Sequence, residues 1–161
     1  MKKKCLIISG IIILIDQISK YIISSLLRVK ESFVVIKHFF NLTHLNNHGA
    51  AWSLFNGKTI LLILCGLVEV YIVYSSINDF KENKRNMIAF GLLLGGIAGN
   101  LIDRVILGYV RDFLDFNIFG YDFPIFNIAD IAIVIGVGLL MFGIIKGEDN
   151  GSSSKRKRTN R

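Results

Sequence analysis

The chain has 161 residues, 52% of them hydrophobic and 19% charged, with a single proline, a mean hydropathy of +0.53 and a net charge of +7. These values exclude an ordinary soluble domain, and the length fits about four or five membrane crossings with no separate soluble domain. A basic balance can signal nucleic acid, but here its distribution matches membrane orientation, and no nucleic-acid partner is expected.

Lys2–Lys4 followed by the apolar run Leu6–Ile15 has the outline of a signal peptide. No small-residue cleavage site follows, and Asp16, Lys20 and the apolar Tyr21–Leu27 continue directly, so an uncleaved first helix over Cys5–Leu27 is predicted. Further crossings are predicted over Thr59–Ile77, Met87–Leu107 and Asn127–Ile145, each near the ~20 residues that span hydrocarbon. Cys5 and Cys65 lie inside apolar runs and read as small buried hydrophobes with no disulfide or metal role. The expected fold is an all-α membrane bundle of four helices with a small β element, one domain over residues 1–146.

Orientation follows from the flanking cations. The amino end (Lys2, Lys3, Lys4), the middle loop (Lys81, Lys84, Arg85) and the tail (Lys146, Lys155, Arg156, Lys157, Arg158, Arg161) outnumber Arg28, Lys30, Lys37, Lys58 and Arg111 on the other side. The positive-inside rule then places both termini in the cytoplasm and the loop bearing Asp112 outside. Residues 147–161, with KRKR and no apolar run, are expected to be a disordered basic tail that contacts anionic lipid. The outer loop Val29–Lys58 contains the β-prone runs Phe33–Ile36 and Phe39–Thr43 and the turn signal Asn56–Gly57. It predicts a small surface sheet with Phe39, Phe40, Trp52 and Phe55 as interfacial anchors; a disordered loop is the competing expectation.

Ionisable groups inside a crossing are costly and usually serve a site or a pathway. Asp16 and Lys20 are spaced for an i,i+4 ion pair, which can also frame a site. Glu69 reads as a packing or interfacial residue. The third crossing carries GLLLGGIAGNLIDR, Gly91–Arg104, in which Gly91, Gly95 and Gly99 allow close helix approach. Asn100 and Asp103 share a face beside Arg104 near the end of that helix, a polar wall suited to substrate backbone and to fixing carboxylates. Between the third and fourth crossings, Val110–Asp130 holds four acids. Asp112 lies just past one helix, and Asp130 just inside the next, where Asn127 and Asp130 are spaced as a capping box. Antiparallel helices would bring both carboxylates to one depth, which suits peptide hydrolysis by an aspartyl dyad. Read alone, Asp112 is a wet loop acid, and Asp115 is a competing candidate that spacing does not exclude. His44 and His48 are four apart with no third ligand in view, so no metal is expected.

With these residues in view the chain resembles signal peptidase II, the bacterial lipoprotein signal peptidase family, over nearly its whole length except the basic tail. Five blocks carry the resemblance in order: Asp16-Gln-Ile-Ser-Lys20, Asn47-His-Gly-Ala-Ala-Trp52, Gly95 to Arg104 (GGIAGNLIDR), Val110-Arg-Asp-Phe-Leu-Asp115 and Phe126-Asn-Ile-Ala-Asp130. The resemblance implies Asp112 and Asp130 as the catalytic pair. It places Asp16, Lys20, Asn47, Gly49, Asn100, Asp103, Arg104, Asn127 and Ala129 around the site. It implies four helices with a small outer β-cradle and no cofactor. The implied partners are membrane lipids and a diacylglyceryl-prolipoprotein cut just before its lipidated cysteine, by a monomer in the bacterial cytoplasmic membrane. Two departures stand out: Trp52 where Phe is usual, and Arg111 where an apolar residue is common. Arg111 is expected to face headgroups.

Overall fold

The computed structural model describes residues 1–49, 55 and 57–148. In order the elements are α1 (Lys2–Leu26), β1 (Ser32–Ile36), β2 (Phe40–Asn47), α2 (Thr59–Ser76, extended by a 3₁₀ turn Ile77–Asp79), α3 (Lys84–Leu107), β3 (Val110–Ile118), β4 (Tyr121–Asp122) and α4 (Ile128–Ile145). All four helices are long and apolar enough to cross a membrane. Their outward surface is apolar: Ile60, Val134 and Tyr71 are more than 70% exposed, as befits side chains whose solvent is lipid. Cys5 is buried and Cys65, contrary to expectation, is exposed on α2, and both are free thiols. Glu69 is likewise exposed on α2 rather than packed. Trp52, Asn56 and residues 149–161 of the basic tail lie outside the described residues.

Helix α3 is the hub. It packs on α1, α2 and α4, and buries Ala89, Phe90, Gly91, Leu93, Leu94, Gly95, Gly96, Ile97 and Gly99 along its length. The four-residue glycine spacing makes a groove on one helix face. A Cβ at Gly91 would sit 2.6 Å from the Ile8 side chain, one at Gly95 2.7 Å from Ile12, and one at Gly99 2.7 Å from an Asp16 carboxylate oxygen. The same step of four thus recurs on α1, and the last rung delivers a carboxylate. Gly96, on a different face, meets the backbone of α4 at Ala129. Asn83 caps the start of α3 by accepting from the Asn86 amide at 2.8 Å, and Gly108 ends it in the left-handed region at φ +83°.

The strands form one antiparallel sheet in the order β1-β2-β3-β4 at the end of the bundle where α3 stops and α4 begins. Its first two strands occupy the expected runs, β2 continuing to Asn47. The other half comes from the acid-bearing stretch, where no strand was expected: Leu45 pairs with Asp112 and Asn41 with Asp115. The β3–β4 hairpin turns at Phe119 and Gly120, φ +53° and +85°, the left-handed pair a tight type I′ turn needs. Phe40, Phe116 and Phe126 stack in series at centroid separations of 4.5 and 5.7 Å. The stack ties the sheet to the segment that leads into α4. Of the expected anchors, Phe39 and Phe55 are about half exposed.

Candidate active site

Asp112 sits on β3 and is 2% exposed, so it is not the wet loop acid its local sequence indicates. The reason is pairing: β2 covers one edge of β3, and the Phe113 and Leu114 amides donate to the Phe126 carbonyl at 3.0 and 2.8 Å, binding the strand to the α4 entry. Asp130 stands at the third position of α4 in a complete capping box. The Asn127 side chain accepts from the Asp130 amide at 3.1 Å, and the Asp130 carboxylate accepts from the Asn127 amide at 3.1 Å.

Asn127 also reaches the other acid. Its Nδ2 donates to Asp112 Oδ1 at 2.6 Å, so one buried asparagine holds both carboxylates, Asp112 by its side chain and Asp130 by its backbone. Asn47 Nδ2 donates to the second Asp112 oxygen at 2.9 Å, and Asn100 Nδ2 to Asp130 Oδ1 at 2.7 Å. Burial pushes the Asp112 carboxyl up to about 7 from an ordinary 3.8, and the neighbouring Asp130 charge pushes the same way. The hydrogen bonds from Asn47 and Asn127 and the Lys20 charge oppose the rise without cancelling it.

Beneath the two acids lies a buried polar network contributed by α1 and α3. Lys20 Nζ is 2.8 Å from Asp16, 3.0 Å from Asn100 Oδ1 and 3.5 Å from Asp103, with no exposed side-chain surface. The i,i+4 pair and the site framework are therefore one structure. Asp16 Oδ1 accepts from the Ala129 amide at 2.9 Å, satisfying an otherwise orphaned donor in the first turn of α4. Asn100 Oδ1 accepts from Asn127 Nδ2 at 3.1 Å, linking this layer to Asp112 and Asp130. Gly49 donates its amide to Asn47 Oδ1 at 3.0 Å and accepts from an Arg104 terminal nitrogen at 3.1 Å. All eleven residues named from the sequence thus join one network.

Two further members were not foreseen. Gln17 donates to Asp103 at 3.1 Å and to the Gly99 carbonyl at 3.1 Å. Arg111 turns inward and pairs with Asp103 at 2.7 Å instead of facing headgroups. The physical cause is charge balance, since the buried acids Asp16 and Asp103 share Lys20, the one fully buried lysine or arginine among the described residues. Asp115, the competing acid, points to the opposite strand face from Asp112 and accepts from Thr43 Oγ1 at 2.6 Å. The ring nitrogen of His44 meets the Leu27 carbonyl at 2.9 Å while His48 packs on Tyr109, so the two rings serve separate structural contacts.

Comparison with known proteins places the chain in an established family. Residues 8–146 fit the family model of signal peptidase (SPase) II. The chain belongs to the signal peptidase II family. It is therefore an aspartic peptidase of the membrane. It is 43% identical over 153 residues to a protein named lipoprotein signal peptidase from Staphylococcus aureus strain bovine RF122 / ET3-1, with 94% of each chain covered. The homologue of strain MRSA252 is 42% identical over the same span. Two solved structures described as bacterial membrane enzymes superpose with TM-scores of 0.83 and 0.80 at 40% and 41% identity. They cover 92% and 88% of this chain, and 91% and 92% of theirs.

Proposed function

We propose that this chain is a membrane aspartyl endopeptidase that removes the signal peptide from diacylglyceryl-modified prolipoproteins, cutting just before the lipidated cysteine with Asp112, Asp130 and water. The observation that carries the reading is Asn127, which hydrogen-bonds both carboxylates and so fixes them at one site. Like carboxylates so placed share a proton, and burial that raises Asp112 to about 7 lets the pair keep one proton near neutral pH. Asp130 is then the charged member, favoured by the Asn127 amide and the positive end of α4. It takes a proton from the attacking water as that water's oxygen bonds to the scissile carbonyl carbon. Asp112 hydrogen-bonds the carbonyl oxygen, and the pair then supplies a proton to the departing amine as the C–N bond breaks. The two titrate as a unit.

Asn100 and Arg104 line the site beside Asp130 and offer polar groups to the substrate backbone, while Asp16, Lys20 and Asp103 hold α1, α3 and α4 in register below it. On the cation count, both termini are cytoplasmic and the site is at the outer face, where the cleavage point meets water. The lipid chains stay in the bilayer, which raises the effective concentration of substrate. Residues 1–146 act as one domain and as a monomer, with the tail serving topology. The test is cleavage of a lipidated precursor by the purified full-length protein in detergent, alongside Asp112→Asn, Asp130→Asn and Asp115→Asn. The first two are expected to be folded and inactive, and the third active. Inactivity of Asp115→Asn alone would assign the chemistry to the wrong acid.

A further inference from the structure

We propose that Arg111 is a positioning residue of the peptidase: it pins the strand that carries Asp112 to the Asp103–Gln17 pair between α3 and α1. This rests on the reading of Asp112 and Asp130 as the catalytic pair.

Neighbouring residues on a strand project to opposite faces, so Arg111 points away from Asp112 and into the layer beneath it. It places three donors on one carboxylate. Its backbone amide reaches Asp103 Oδ2 at 3.0 Å, Nε reaches the same oxygen at 3.2 Å, and Nη2 reaches Oδ1 at 2.7 Å. Nη2 also donates to Gln17 Oε1 at 3.0 Å, and Gln17 Nε2 returns to Asp103 Oδ1 at 3.1 Å, closing a ring across two helices and a strand. The fork is a geometry that lysine does not reproduce. On the far side of Asp112, the Phe113 amide donates to the Phe126 carbonyl at 3.0 Å. The backbone of Asp112 is thus bracketed by an anchor on each neighbour, one to α3 and one to the entry of α4.

Arg111 acts on Asp130 as well. Lys20 is shared among Asp16, Asn100 and Asp103, with Asp103 the most distant at 3.5 Å. Arg111 satisfies Asp103 from the other side. Without it, Asp103 competes for Lys20, and Asn100 loses the cation that orients it toward Asp130. The charged groups acting on the two acids are Lys20 and Asp16 from α1 and Arg104 from α3, with Asp103 reaching them through Lys20. Loss of Arg111 makes that surrounding more negative and favours protonated carboxylates, which moves the acid limb of the pH–rate profile upward.

The test compares full-length wild type, Arg111→Met and Arg111→Lys in detergent with a lipidated precursor, measuring kcat, KM, the pH profile and the melting temperature. Arg111→Met is expected to lose roughly a hundredfold in kcat with little change in KM, since the substrate surface is intact and only the acids are displaced. Its acid limb moves to higher pH. Arg111→Lys keeps the charge and loses the fork, so it recovers about tenfold of the loss with the acid limb at its wild-type position. Wild-type kcat in Arg111→Met overturns the proposal, and so does a loss in both variants that equals their unfolded fraction. If Arg111→Met does not fold, Arg111→Lys decides, and wild-type kcat there overturns it. A wild-type protein that fails to cleave removes the catalytic reading and this inference with it, whereas active wild type with unaffected variants removes the inference alone.

Discussion

Helices α2 and α3, of 18 and 24 residues, are both apolar, yet α2 buries no residue while α3 buries twelve. The difference lies in a few positions. Helix α2 presents branched and aromatic side chains all round and touches α3 closely at Gly66, where a Cβ would lie 3.1 Å from Leu101. Helix α3 has glycines at the four-residue step and polar groups near one end. In lipid, an apolar side chain gains little by exchanging acyl chains for protein, so close backbone approach and satisfied polar groups decide which helix becomes the hub. Hydrophobicity puts both helices in the membrane and says nothing about which one organises the site.

That contrast breaks most severely at the acids. On the proposed mechanism, Asp112→Asn or Asp130→Asn should lower cleavage by at least about 10³-fold, with folding retained by circular dichroism. Asn127→Ala removes the α4 cap and the donor to Asp112 together. A loss of about 10²-fold in kcat with about 1–2 kcal/mol of stability is expected, measured by kinetics and thermal melting.

Gly99→Ala tests the groove while leaving Asp112 and Asp130 in place. Its Cβ would enter the space of Asp16, 2.7 Å from Oδ2, and a cost of about 1–3 kcal/mol with reduced activity is expected, whereas Leu64→Ala on the exposed face of α2 should stay within about 0.5 kcal/mol of wild type. Equal effects of the two would dissolve the distinction between the helices.

The pH dependence sharpens it further. Because the folded-state value of Asp112 is raised to about 7, its proton is retained below that pH and lost above it. Activity that needs a shared proton should therefore fall as pH rises past about 7. Stability runs the same way: the unfolded carboxyl releases its proton near 3.8, so the folded protein is progressively penalised as pH rises from about 4 to about 7. Asp112→Asn, neutral throughout, should melt higher than wild type at pH 8 and show no such advantage at pH 4.

The four crossings, their boundaries within a few residues and the first half of the sheet follow from the sequence alone, because continuous apolar length and β-branched runs are local properties. The cap at Asn127 and the pair Asp16–Lys20 are local too, each set by spacing along one helix. Tertiary structure alone decided the rest. It made a strand of Val110–Ile118, buried Asp112 at 2% exposure and turned Arg111 from headgroups to Asp103. Those outcomes depend on partners brought in from other elements, as far as 65 positions away for Asp112 at Asn47 and 94 for Arg111 at Gln17. A carboxylate's neighbours fix its proton affinity and a cation's direction follows the buried charge it must offset. Neither is encoded in the residues beside it.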